Sequence, residues 1–84
     1  MKETAIVEFF NGASGSKTEL EIPLFITANE LIQALNKAYD LKMNTDDIFS
    51  CYLVAENPIA LLRGNKQLKE YGIRNGSAII YWRE

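Results

Sequence analysis

The most constraining feature of the sequence is one helical pattern that lies between strand-like segments. Thr27-Ala28-Asn29-Glu30 matches a capping box, in which the side chains of Thr27 and Glu30 accept from each other's backbone N–H groups. Apolar residues then recur at three- and four-residue spacing, which predicts one amphipathic helix over residues 28–39. We expect the apolar face of this helix to pack on a sheet. Its members are Ala28, Leu31, Ile32, Leu35, Ala38 and Tyr39.

Two strand-like segments precede the helix. Residues 4–10 are rich in β-branched and aromatic residues, and residues 18–24 alternate polar with apolar side chains. The turn-forming residues 11–16 join them and predict an N-terminal β-hairpin.

The faces of the first strand follow from its alternation. The phase that contains Val7 and Phe9 is apolar throughout, whereas the other phase contains a charged residue. We therefore expect Val7 and Phe9 to face the core, with Ile6 and Phe10 on the outer face.

Three further strand-like segments follow the helix. Residues 48–54 and 59–62 are predicted strands around a turn at Glu56-Asn57-Pro58, and Asn75-Gly76 is a turn before a last strand over residues 77–83. That strand is apolar on both faces, which is typical of a central strand or of one whose outer face meets a partner. The order β-β-α-β-β-turn-β predicts an α+β fold, with one helix covering one face of a mixed sheet of four to five strands.

Composition argues against chemistry performed by this chain. The 84 residues fit one domain, residues 1–84, and include no His and a single Cys. The commonest general base, the commonest zinc ligand and the Ser-His and Cys-His nucleophile pairs are thereby excluded. Cys51 lies mid-strand without a neighbouring base, and the adjacent Asp46 and Asp47 point apart, so we expect no catalytic residue, no metal site and no cofactor.

The charge and hydropathy of the chain indicate which partners and which cellular location to expect. The net charge of −2 and a pI near 5.1 argue against a nucleic-acid-binding protein, which needs a basic surface. The N-terminus lacks the apolar core of a signal peptide, and no apolar run approaches the ~20 residues that span a bilayer. We expect a cytoplasmic protein without direct membrane insertion.

The order of elements and one local motif carry a resemblance to a known family. Leu68-x-x-Tyr71-x-Ile73 runs through Asn75-Gly76 into an apolar last strand, after a turn at Gly64–Leu68. Over essentially the whole chain this pattern resembles the ubiquitin fold, or β-grasp. Within it, the size of the chain and the same motif are most similar to the bacterial ubiquitin-like proteins of the YukD/EsaB type, which belong to type VII secretion.

The resemblance implies a non-enzymatic protein-interaction module, acting as a cytosolic accessory or regulatory component of a secretion system. Its partners would be proteins, among them secretion-system components. Ubiquitin-like modifiers and sulfur carriers end in Gly-Gly, whereas this sequence ends in Ile80-Tyr81-Trp82-Arg83-Glu84. The alternatives are a β-grasp carrier or modifier that lacks its Gly-Gly tail, and a structural domain that self-associates into a homodimer.

A surface is the candidate site. If Ile79 and Tyr81 point toward the helix, then Ala78, Ile80 and Trp82 point outward. Small Cys51 and compact Leu53 suit the core, so the third strand should present Tyr52 and Val54. The predicted partner-binding patch consists of Ile6, Tyr52, Val54, Ile80 and Trp82. The alternative is scattered apolar surface, with Trp82 folded over the sheet edge.

Overall fold

One sheet and one α-helix organise the described part of the chain, which comprises residues 3–44, 46 and 51–82 of a computed structural model. The elements follow the predicted order, with a short 3₁₀ helix at the turn-like segment Leu68–Tyr71. They are β1 (Thr4–Asn11), β2 (Ser16–Pro23), α1 (Ala28–Tyr39), β3 (Leu53–Glu56), β4 (Ala60–Leu62) and β5 (Ala78–Tyr81). The predicted α+β arrangement is therefore confirmed.

The sheet has five strands in the order β2-β1-β5-β3-β4. β1 and β5 are parallel, and each other neighbouring pair is antiparallel. β5 thus lies at the centre, as its apolar character on both faces predicted. Its backbone is paired on both sides, so its side chains fall on two opposite faces that are fixed by the register of β1 and β3.

The helix begins where the capping box predicted. The Glu30 N–H donates to Thr27 Oγ1 at 3.1 Å, and the Thr27 N–H donates to Glu30 Oε1 at 2.9 Å. The next two backbone N–H groups, of Ala28 and Asn29, donate to the carbonyls of Lys66 and Gly64, each at 2.9 Å. The donors of the first helical turn therefore find partners both in the helix itself and in the turn that follows β4.

The core lies between α1 and one face of the sheet. Val7, Phe9 and Ile79 are almost fully buried there, as the predicted strand phases require. The Phe9 ring also meets the Tyr39 ring near the end of the helix, with centroids 5.1 Å apart. Ala38 is exposed although the helical stripe included it, because it falls on the flank of the stripe, away from the sheet.

The third strand differs from its prediction in position. It was expected over residues 48–54, but β3 runs from Leu53 to Glu56. Pairing sets these bounds, since Leu53 pairs with Leu62 at the end of β4 and Glu56 pairs with Ala78 at the start of β5. Residues 47–50 lie outside the described residues. The predicted phase is nevertheless confirmed, because Cys51 and Leu53 are buried.

Two side-chain contacts tie the segment after the helix to the rest of the domain. The buried Tyr81 hydroxyl donates to the Leu41 carbonyl at 3.0 Å. The Asn36 side chain both donates to the Met43 carbonyl, at 3.1 Å, and accepts from the Met43 N–H, at 2.9 Å. This segment is therefore held against both the helix and the central strand.

Candidate functional site

An apolar row crosses four strands on the outer face, the face of the sheet opposite α1. The register pairs Phe10 with Ile80, Ile80 with Val54, and Val54 with Leu61. Phe10, Ile80 and Val54 are half-buried, and Leu61 is exposed. We call these four residues the apolar row. Within the described residues, no element covers this face, and a continuous line of apolar side chains on such a face is typical of a binding surface.

Two exposed aromatic residues extend the apolar row toward one end of the sheet. Trp82 follows β5 and Tyr52 precedes β3, and their side chains are 64% and 50% exposed. The register that pairs Val54 with Ile80 places Tyr52 opposite Trp82 when it is continued by two residues. Trp and Tyr in such a position are the side chains most often found as binding anchors.

The backbone of the β1–β2 turn passes close beneath Trp82. The Gly12 N–H donates to the Tyr81 carbonyl at 2.7 Å, which extends the β1–β5 pairing beyond the strands. A Cβ atom at Gly12 would collide with the Tyr81 carbonyl oxygen and lie 3.2 Å from Trp82 Cα. Glycine at this position thus permits the close approach that seats Trp82 beside the turn.

Ile6 lies apart from the other four residues of the predicted patch. It precedes Phe10 by four residues along β1, which corresponds to about 13 Å of strand. Between Ile6 and the apolar row lies a second line of residues, Glu19, Glu8, Ala78 and Glu56, which the register places side by side. We call its three glutamates the carboxylate row. The structure therefore groups Tyr52, Val54, Ile80 and Trp82 and separates Ile6 from them.

Phe10 and Leu61 belong to the apolar row but were not among the predicted site residues. The alternation in the first strand already placed Phe10 on the outer face. Its parallel pairing with Ile80 then brings its side chain next to that of Ile80. Leu61 lies in a segment with few polar residues to fix its phase, so its orientation depends on the β3–β4 register.

The cysteine and the two aspartates that the sequence analysis considered do not belong to the apolar row. Cys51 is a buried free thiol, and Asp46 is exposed with its N–H donating to Asn44 Oδ1 at 3.0 Å. Asp47 lies outside the described residues. Lys66, in the turn after β4, packs over the Tyr71 ring, 4.9 Å from the centroid.

Among the described residues, no group of three or more acidic or cysteine side chains is arranged to hold a metal ion. In the same part of the chain, no helix combines the length and the apolar run needed to cross a lipid bilayer.

Comparisons with known proteins identify the fold. No family model matches the chain, and no curated protein matches it. Among solved structures, the ubiquitin-like domain of tubulin-binding cofactor B is similar with a TM-score of 0.69 at 20% identity, over 95% of this chain and 89% of that one. The C-terminal ubiquitin-like domain of mouse tubulin-specific chaperone e gives a TM-score of 0.70 at 15% identity, over 99% and 90% of the two chains.

A third solved structure agrees. The UBL domain of Plasmodium falciparum Dsk2 is similar with a TM-score of 0.58 at 16% identity, over 93% of this chain and 97% of that chain. Identities this low establish the fold and leave function to be argued from the surface. Together with the five-stranded mixed sheet and the helix α1 that packs on it, these similarities show that the chain has the ubiquitin-like β-grasp fold.

Proposed function

We propose that residues 1–84 form one ubiquitin-like protein-interaction module that acts without catalysis or cofactor and binds protein partners through its outer face. The observation that carries this proposal is the apolar row, which extends into exposed Trp82 and Tyr52. Burying one large apolar side chain in a contact contributes about 1.5–3 kcal/mol, which is the favourable free energy that these residues would set against the cost of association.

The binding role is tested by two outer-face variants and one matched control. Ile80→Asp places a charge in the centre of the apolar row, and Trp82→Ala removes the most exposed aromatic anchor. Phe25→Ala removes another exposed apolar side chain, which lies in the turn before α1 and outside the sheet. Each variant is immobilised, after circular dichroism confirms its fold, and proteins captured from a lysate are compared by mass spectrometry.

We expect proteins captured by the wild type and by Phe25→Ala to be lost from both outer-face variants. Captured proteins that remain bound to folded Ile80→Asp and Trp82→Ala would contradict the proposal. A concentration-dependent dimer in light scattering that Ile80→Asp abolishes would instead assign the face to self-association.

The finer proposal is a cytosolic accessory or regulatory component of a type VII secretion system. It is supported by the resemblance of Leu68-x-x-Tyr71-x-Ile73 and Asn75-Gly76 to the YukD/EsaB type. Its test is the identity of the captured proteins, which should include the membrane ATPase or the small secreted proteins of such a system. Capture of unrelated proteins through the same face would contradict the secretion role and leave the interaction module intact.

A further inference from the structure

The charge on the outer face is predominantly negative. In the described strands, the charged residues that point away from the helix are four glutamates, Glu8, Glu19, Glu21 and Glu56, and one lysine, Lys17. The carboxylate row lies directly beside the apolar row, one pair of residues further along the strands. A partner that covers the apolar row therefore meets negative charge on one side, and its own charge must be positive to match.

Two of these glutamates lie opposite each other on neighbouring strands, an arrangement that destabilises a sheet. Glu8 and Glu19 are direct cross-strand partners, and like charges in that relationship destabilise a sheet. Lys17 Nζ lies 4.0 Å from Glu8 Oε1, but both side chains are more than half exposed, so this contact offsets little. Such a conflict between local stability and sequence is expected where a residue serves binding.

A shallow cavity of about 390 Å³ opens where the carboxylate row meets Ile6. Glu8 and Glu19 line it together with Ile6 and Ala78, which combines two carboxylates with apolar walls. The Ile6 edge of the cavity is held in place, because the Ile6 N–H donates to Asn75 Oδ1 at 2.7 Å. A lysine or arginine side chain suits this cavity, since its aliphatic stem packs on the walls while its charged head reaches the carboxylates.

We propose that the outer face binds an amphipathic helix of a partner protein, which places apolar side chains on the apolar row and a Lys or Arg side chain in the Glu8–Glu19 cavity. This inference rests on the proposed function and adds the chemistry of the partner. Neighbouring rows on the sheet are two residues apart, about 6.6–6.8 Å along a strand. Four residues of an α-helix advance about 6 Å, so a basic residue four positions after an apolar anchor reaches the cavity.

A second copy of this chain is a poorer occupant than a basic helix. Its outer face would present the same four glutamates and the single lysine of the described strands, so it would bring mainly negative charge against negative charge. The covering partner is therefore a different protein segment.

The test is selection from a random-peptide display library on the wild-type protein. We expect the enriched peptides to share apolar residues, with a Lys or Arg four positions after one of them. A synthetic copy of the best peptide should bind about tenfold more tightly than its Lys-to-Glu analogue at low salt, and the difference should shrink as salt rises. NMR shifts should map to the apolar row and Ile6, and circular dichroism should show helix induced in the bound peptide.

Glu19→Gln and Asp40→Asn form a matched pair, because each removes one exposed carboxylate and Asp40 caps the far end of α1 in a left-handed conformation that Asn adopts readily. Glu19→Gln should weaken peptide binding about three- to fivefold and raise the urea midpoint, whereas Asp40→Asn should leave binding unchanged. This opposite change in stability and binding separates a binding role from a structural one.

The contradicting outcomes differ for the two proposals. Peptides that bind the outer face equally well after Lys-to-Glu exchange, or that bind as an extended strand, would overturn the basic helix and leave the interaction module standing. A library that yields no binder, or binders whose NMR shifts lie elsewhere, would contradict both.

Discussion

The indole ring of Trp82 stands edge-on to the phenyl ring of Phe10, with centroids 5.4 Å apart and an interplanar angle of 61°. This contact joins the residue that follows β5 to the apolar row. Edge-to-face aromatic pairs contribute about 0.5–1.5 kcal/mol beyond the area that they bury. Trp82 is also the single tryptophan of the sequence, so its fluorescence reports directly on the state of this surface.

Gly12→Ala should disturb the seat of Trp82. The added methyl group collides with the Tyr81 carbonyl oxygen, and overpacking of this kind costs about 1–3 kcal/mol. Urea unfolding should show the loss, and Trp82 emission should shift because the contact with Phe10 is displaced. Ala13→Ser, at an exposed neighbouring position, is the control and should match the wild type. An unchanged urea midpoint in Gly12→Ala would refute the close approach.

Tyr81→Phe should lower the melting temperature. The variant removes the donor to the Leu41 carbonyl in a buried position, and an unsatisfied buried group costs about 1–3 kcal/mol. Each kilocalorie corresponds to about 4–8 °C for a domain of this size. Calorimetry should therefore separate it clearly from Tyr52→Phe, whose side chain is half exposed. Equal melting temperatures for the two variants would mean that the hydrogen bond does not contribute.

Thr27→Ala should remove half of the capping box. Glu30 N–H then loses its side-chain acceptor, and the loss of an N-cap of this type costs about 1 kcal/mol. Thr27→Ser keeps a hydroxyl and should retain nearly all of the stability. The free energy of unfolding from urea titrations checks both, and a Thr27→Ser variant as unstable as Thr27→Ala would point to packing of the methyl group instead.

Ser77→Ala should destabilise the turn before β5. Ser77 is fully buried, and its hydroxyl donates to the Asn57 carbonyl at 2.6 Å and accepts from the Arg74 N–H at 3.0 Å. Removing it leaves two backbone groups without their partner, at a cost of about 1–3 kcal/mol. Hydrogen exchange should show faster exchange at the Arg74 amide. The control, Ser14→Ala at an exposed turn position, should leave that amide protected.

Local patterns predicted those parts of the fold that depend on neighbours in the chain. Thr27 and Glu30 lie three residues apart, so the start of the helix follows from the sequence alone. The faces of β1 likewise follow from alternation, which placed Val7 and Phe9 in the core. The last strand is apolar on both faces, so alternation does not fix its phase, and the structure shows Ile79 and Tyr81 on the buried side.

Features that depend on register could not be predicted in this way. The parallel pairing of Phe10 with Ile80 joins residues from opposite ends of the chain, and no local pattern specifies it. This pairing separates Ile6 from the predicted patch and brings Phe10 into it. The same register places Glu8 between Glu19 and Ala78, so the carboxylate row becomes visible only once the strands are paired. The bounds of β3 depend in a similar way on pairing, with β4 at Leu53 and with β5 at Glu56.

The central position of β5 has a consequence for the order of folding during synthesis. β1 and β2 can form a hairpin early, but β1 and β3 have no direct pairing and meet only through β5. The sheet therefore cannot form completely until the chain through Tyr81 has left the ribosome. Until then one edge of β1 stays unpaired, and the apolar face of α1 lacks most of the sheet on which it packs. We therefore expect this domain to acquire its native structure late, in a single cooperative step.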